Sequence, residues 1–99
     1  MPRFDVYRHP DGRGYLLDCQ TDFLSGLDTR LTVPLFLLED YPRPAAGLNP
    51  VFVVEDLSVV MLTQYTAAIE KRRLGRSVGW LATEQDAIVN ALDMLLTGY

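Results

Sequence analysis

The 99-residue chain is long enough for one domain with a modest core, and its 48% apolar content excludes a disordered segment. Thirteen acidic against nine basic residues leave a net charge of −4, a field that opposes direct nucleic-acid binding and favours protein, peptide or small-molecule partners. No apolar run approaches a membrane span, Met1-Pro2-Arg3-Phe4-Asp5 lacks a signal-peptide pattern, and the single Cys19 cannot make an internal disulfide, so a cytoplasmic protein without membrane attachment is expected.

Strands dominate the first part of the chain. Phe4, Val6 and Arg8 alternate with Asp5 and Tyr7, and Pro10-Asp11-Gly12-Arg13-Gly14 supplies dense turn chemistry. Tyr15, Leu17 and Cys19 then alternate with Leu16, Asp18 and Gln20, which predicts an antiparallel hairpin. A turn around Ser25-Gly26 leads to a third strand from Arg30 to Leu35, with Leu31 and Val33 on one face and Pro34 near its end. The prolines of Tyr41-Pro42-Arg43-Pro44, with Gly47 and Asn49-Pro50, forbid regular structure and predict a loop. Val51 to Val54 is a continuous apolar run, expected as a central strand buried on both faces, and Glu55-Asp56 turns it into a return strand from Ser58 to Leu62. Residues 64–74 fit either a helix or short strands, and the preceding hairpin favours strands. Trp80 is expected to anchor the following helix in the core.

Residues 83–96 read as one amphipathic helix. Thr83 is a candidate N-cap with Asp86 as its capping-box acid, and Ala87, Ile88, Ala91, Leu92 and Leu95 repeat at helical spacing. Gly98 stops the helix, because glycine enters the left-handed conformation without a steric penalty. Full burial of Ile88, Leu92 and Leu95 would contribute about 1.5–3 kcal/mol each, so Ile88→Asp or Leu92→Asp is expected to unfold the domain. Thr97, Gly98 and Tyr99 are expected to be displayed rather than packed, which suits contact with another protein. The fold class is α+β, mainly β: an antiparallel sheet or SH3-like barrel with one C-terminal helix, in a single domain over residues 1–99.

Catalytic constellations are thin. His9 is the only histidine and lies beside a turn, and Cys19 occupies an alternating apolar position expected to be structural. One histidine and one cysteine at this spacing match no metal pattern, and no phosphate-cradling glycine loop or nucleophile elbow is present. The acid pairs Glu39-Asp40 and Glu55-Asp56 read as solvated corners. Lys71-Arg72-Arg73 with Arg76 is the one basic cluster, able to grip phosphate or an acidic peptide, and reads as a solvated strand edge. The residues alone indicate no enzyme, cofactor or metal.

In order and spacing, Phe4-Asp5-Val6-Tyr7, Asp18-Cys19-Gln20-Thr21-Asp22, Arg30-Leu31-Thr32-Val33-Pro34-Leu35, Leu48-Asn49-Pro50-Val51, Met61-Leu62-Thr63 and the helical Asp86-Ala87-Ile88-Val89-Asn90-Ala91-Leu92 resemble the CcdB family of toxins over nearly the whole chain. The resemblance implies a homodimeric toxin with an SH3-like barrel, a small side sheet and a C-terminal helix. It further implies a plasmid-maintenance or chromosomal toxin–antitoxin module whose toxin binds the A subunit of DNA gyrase. Such a toxin traps the gyrase–DNA cleavage complex, and a CcdA-like antitoxin with a disordered tail removes it. The gyrase-binding residues it implies are Met94, Leu95, Thr97, Gly98 and Tyr99. The family ends in Trp-Gly-Ile, whereas this chain ends in Thr97-Gly98-Tyr99, so the glycine is kept and the tryptophan is replaced. A central aromatic contact is worth about 2–4 kcal/mol, so its uncompensated loss would weaken binding roughly 30- to 1000-fold. Two further readings stand beside this one. One is a messenger-RNA endoribonuclease on the same fold, with Arg73 or Arg76 acting with His9. The other is a binding module with a changed target.

Overall fold

The structure, a computed structural model, describes residues 2–98. Seven strands, β1 (Asp5–Arg8), β2 (Tyr15–Asp18), β3 (Thr29–Leu37), β4 (Val51–Val54), β5 (Leu57–Met61), β6 (Ala67–Glu70) and β7 (Ser77–Trp80), precede one helix, α1 (Gln85–Thr97). The strands form a curled antiparallel sheet in the order β4-β5-β3-β2-β1-β7. The nine-residue β3 branches it: its first half pairs with β6, Thr29 opposite Glu70, and its second half pairs with β5, Leu35 opposite Met61. The expected α+β, mainly β architecture is therefore present. Residues 64–74 are short-stranded as the hairpin argument favoured, with β6 between two 3-10 turns.

Turn chemistry sets the hairpins. Glu55 and Asp56 both adopt positive φ, 50° and 65°, the backbone that matches the twist of a two-residue hairpin between β4 and β5. Gly14, at φ 86°, would clash through any Cβ with the Leu35 carbonyl oxygen 2.5 Å away, so no other residue lets β2 begin so close to β3.

The concave face carries the core: Val6, Leu17, Val33, Leu35, Val59 and Met61 are fully buried there, and Ile88 and Ala91 of α1 close over them. Ile88→Ala is accordingly expected to lower stability by about 2–5 kcal/mol in a urea titration, and a change under about 1 kcal/mol would contradict this packing. Cys19 is the buried structural cysteine expected. Burial, with Asp18 beside it, pushes its thiol up to about 12. It should resist alkylation in mildly alkaline buffer until urea unfolds the chain; labelling of the native protein at the rate of a free thiol would show an open core.

Part of the convex face is buried too. Tyr7, Leu16 and Leu74 pack there with Ile69 against them, and beneath lie Asp5, Asp18 and Arg30. Arg30 donates from Nε and Nη2 to Asp18 Oδ2 at 2.9 and 2.8 Å, both side chains being fully buried. Burial raises the carboxyl pKa of Asp5 and Asp18, and burial with the two nearby carboxylates pushes the Tyr7 hydroxyl up to about 12.

Several local expectations need correction. Val51 to Val54 is an edge strand with one covered face: Phe52 and Val54 are buried while Val51 and Val53 are exposed. Leu31 and Val33 do share one face of β3, with Leu31 39% exposed and Arg30 and Thr32 buried on the opposite face. Trp80 is 61% exposed on the edge strand β7, with its indole N–H donating to the Arg3 carbonyl at 3.1 Å, and its neighbour Leu81 enters the core instead. Thr83 caps nothing: residues 82–84 form a 3-10 turn and α1 starts at Gln85 without a side-chain cap.

Candidate functional site

The carboxyl end of α1 is built to be held from beneath and bare outside. Thirteen residues make a rod of about 20 Å. Ile88 and Ala91 in its first turns anchor it to the core, and the same apolar stripe reaches Leu95 at the rim, where exposure has risen to 41%. Leu96 lies a quarter turn away and is 77% exposed. Met94 is half-buried, its methyl against Gly47: a Cβ on that glycine would stand 2.7 Å from Met94 Cε. Gly47 belongs to the loop after β3, which Asn49 organises. Asn49 Oδ1 accepts from the Ala45 amide, and its Nδ2 donates to the Met61 carbonyl and Gln64 Oε1. The last turn of α1 therefore stands on a fixed support.

Gly98 stops the helix as expected, at φ 84°, with its amide bonded to the Met94 carbonyl at 3.0 Å. Thr97 is exposed, yet its hydroxyl donates back to the Asp93 carbonyl at 2.7 Å and so serves the helix. Of the five residues expected to make contact, Met94 supports, Leu95, Thr97 and Gly98 are displayed, and Tyr99 lies outside the described residues. Leu96 was missed because it falls off the stripe, although a second leucine beside Leu95 at a helix end is a signal for it.

A second bare apolar feature was also missed. Phe23, 94% exposed, sits with Leu24 and Leu27 on the loop between β2 and β3. An apolar pair inside polar turn residues, Thr21-Asp22-Phe23-Leu24-Ser25-Gly26, is its sequence signal. Large hydrophobic side chains held in water by an ordered backbone mark protein-contact surfaces.

The charged groups outside these surfaces are mostly tied to one another. Arg13 bridges Glu39 and Asp40, and Glu55 accepts from Arg8 and from the Tyr15 hydroxyl, bonds that hold its carboxyl below the usual range. Lys71-Arg72-Arg73 forms a 3-10 turn rather than a strand edge. Arg72 pairs with Glu70, Arg73 with Asp11, and Lys71 Nζ donates to the Ser25 carbonyl. A groove of about 200 Å³ is lined by His9, Asp11, Tyr65 and Arg73 among others. There the Asp11 amide donates to His9 Nδ1 at 3.1 Å, and Arg73 holds the Asp11 carboxyl below its ordinary value. Among the described residues no cluster of three His, Cys, Asp or Glu side chains is placed to hold a metal ion, and no helix is long and apolar enough to cross a membrane.

Comparison with known proteins agrees with this architecture. The family model described as "CcdB protein" matches residues 3–98. A solved endoribonuclease in complex with its cognate antitoxin from Mycobacterial species superposes with a TM-score of 0.79 at 19% identity, covering 97% of this chain and 94% of that one, a likeness of fold. No curated protein sequence matches the chain.

Proposed function

From the premise that this chain belongs to the CcdB family of toxin–antitoxin toxins, we propose that it binds the A subunit of DNA gyrase through the carboxyl end of α1. The observation that carries this reading is that end itself: Leu95 and Leu96 bare, Gly98 terminating the rod, and Met94 pinned on Gly47 beneath. Leu96 takes over the apolar contact that the family's tryptophan makes, since Thr97 turns its hydroxyl inward. Phe23 and Leu24 form a second anchor on the same target.

The mechanism is population shift. A ligand that fits gyrase only while its DNA gate is cut and open holds the enzyme there, by as much as its affinity for the two states differs. The toxin itself makes and breaks no bond and uses no cofactor. It acts in the cytoplasm as a homodimer, whose two-fold symmetry presents one helix end to each gyrase A chain. An antitoxin of the CcdA kind neutralises it, and plasmid maintenance is the role that follows for such a module.

Expression in the host should induce the DNA-damage response, and deletion of residues 96–99 should abolish it. Induction that survives the deletion would remove the helix end from the mechanism.

The groove gives a second reading its one specific support, because His9 and Arg73 do line a common surface. Cleavage of RNA through its 2′-hydroxyl needs a base and an acid. Asp11, held ionised by Arg73, is a weak base, and His9 already accepts from the Asp11 amide. Under the gyrase reading His9→Ala leaves toxicity unchanged, while transcript decay that vanishes in His9→Ala would establish the ribonuclease instead.

A further inference from the structure

The loop that displays Phe23 is wired to the buried ion pair through one side chain. Cys19 donates its amide to the Leu31 carbonyl at 2.9 Å, the last backbone bond between the two stems. Beyond it, Gln20 spans the gap. Its backbone amide donates to Asp18 Oδ1 at 3.1 Å, its Oε1 accepts from the Leu31 amide at 3.1 Å, and its Nε2 donates to the Leu24 carbonyl at 2.9 Å. Asp18 is itself fixed by Arg30. The line Arg30, Asp18, Gln20, Leu24 thus runs from a fully buried pair to the residue following Phe23.

The loop bonds to itself as well. Phe23 donates its amide to Thr21 Oγ1, Leu24 to the Thr21 carbonyl, and Leu27 to the same Leu24 carbonyl that Gln20 holds. These are short-range bonds that water can replace. Two bonds tie the loop's flanks to the rest of the chain, Asp22 Oδ1 accepting from the Arg3 amide at 2.7 Å and the Ser25 carbonyl accepting from Lys71 Nζ at 3.3 Å, while Gln20 reaches Leu24 itself by a side-chain amide that both donates and accepts. Ordering a loop before binding removes that entropic cost from the binding step.

We propose that Gln20 is a positioning residue for target binding, holding the loop so that Phe23 and Leu24 stand in their contact geometry. This rests on the reading that the loop is a gyrase contact. Gln20→Glu is the discriminating variant: it keeps the acceptor for the Leu31 amide and sets a carboxylate against the Leu24 carbonyl, where no donor remains.

The test measures affinity for the gyrase A dimerisation fragment in the intact chain, Gln20→Glu, Phe23→Ala and the double variant, with amide hydrogen exchange on the free proteins. Gln20→Glu should bind about tenfold more weakly, and the double variant should lose less than the two single losses together, because Gln20 acts through Phe23 and Leu24. Exchange at Leu24 and Leu27 should accelerate while that at Val6 and Val33 stays unchanged. Full affinity in Gln20→Glu beside a weakened Phe23→Ala overturns the positioning role and spares the contact. Full affinity in Phe23→Ala overturns the contact and the inference built on it. Unchanged exchange at Leu24 and Leu27, or acceleration equally across the core, overturns the clamp whatever the fragment binds.

Discussion

Asp18→Ala lowers the unfolding free energy by about 3–5 kcal/mol, a large share of the roughly 5–15 kcal/mol of a whole domain. The Arg30 guanidinium receives its opposing charge from Asp18 at 2.8 Å with both side chains fully buried. Removing the carboxylate takes away the opposing charge 2.8 Å from a buried cation, so the cost of desolvating that cation is less well offset. The pair as a unit is worth far less, because two ions taken out of water lose hydration that their attraction only partly returns. Asp18→Leu with Arg30→Met should therefore recover most of the loss. Urea unfolding of the single and double variants reads both effects, and a single variant within about 1 kcal/mol of the parent would show that the pair is reached by water.

Leu96→Asp should abolish target binding while leaving the fold intact. At 77% exposure the side chain contributes little to the core, so stability should move by no more than about 0.5 kcal/mol. A charge in the centre of an apolar contact removes a hot spot worth about 2–4 kcal/mol and adds desolvation, a loss of at least about 30-fold in affinity. The pair of measurements matters. A folded, non-binding Leu96→Asp assigns the surface, whereas a variant that binds normally would move the contact to Phe23 or elsewhere.

Much of the fold was legible because its signals are local. Pro10 to Gly14 and Gly98 favour backbone conformations that other residues resist, and the acid pair Glu55-Asp56 breaks two apolar runs, so hairpins and helix stop are marked locally although Glu55 and Asp56 themselves take the positive φ that side chains disfavour. What misled was burial inferred from composition. Val51 and Val53 look like the core of a sheet, yet nothing packs on the outer face of an edge strand. The burial of Arg30 and Asp18 had no local signal, because it depends on β6 pairing with β3 and on Leu74 and Ile69 packing over the convex face, a long-range event that no window of sequence contains. Trp80 and Leu81 exchanged roles because neighbouring residues of a strand end face opposite ways, and size alone does not tell which enters. The helix end was legible as a displayed terminus. Its apolar neighbour Leu96, and Phe23 on the loop between β2 and β3, left only weak local signals, because how far a hydrophobic side chain is exposed is decided once the rest of the chain is packed.

Whether the helix end holds gyrase, as proposed, is tested most directly by calorimetry on the gyrase A dimerisation fragment of the host. The intact chain should bind and a variant lacking residues 96–99 should not, although both unfold at the same urea concentration. Equal binding by the two would place the contact elsewhere, and no binding by either would leave the family and the fold in place with a different target.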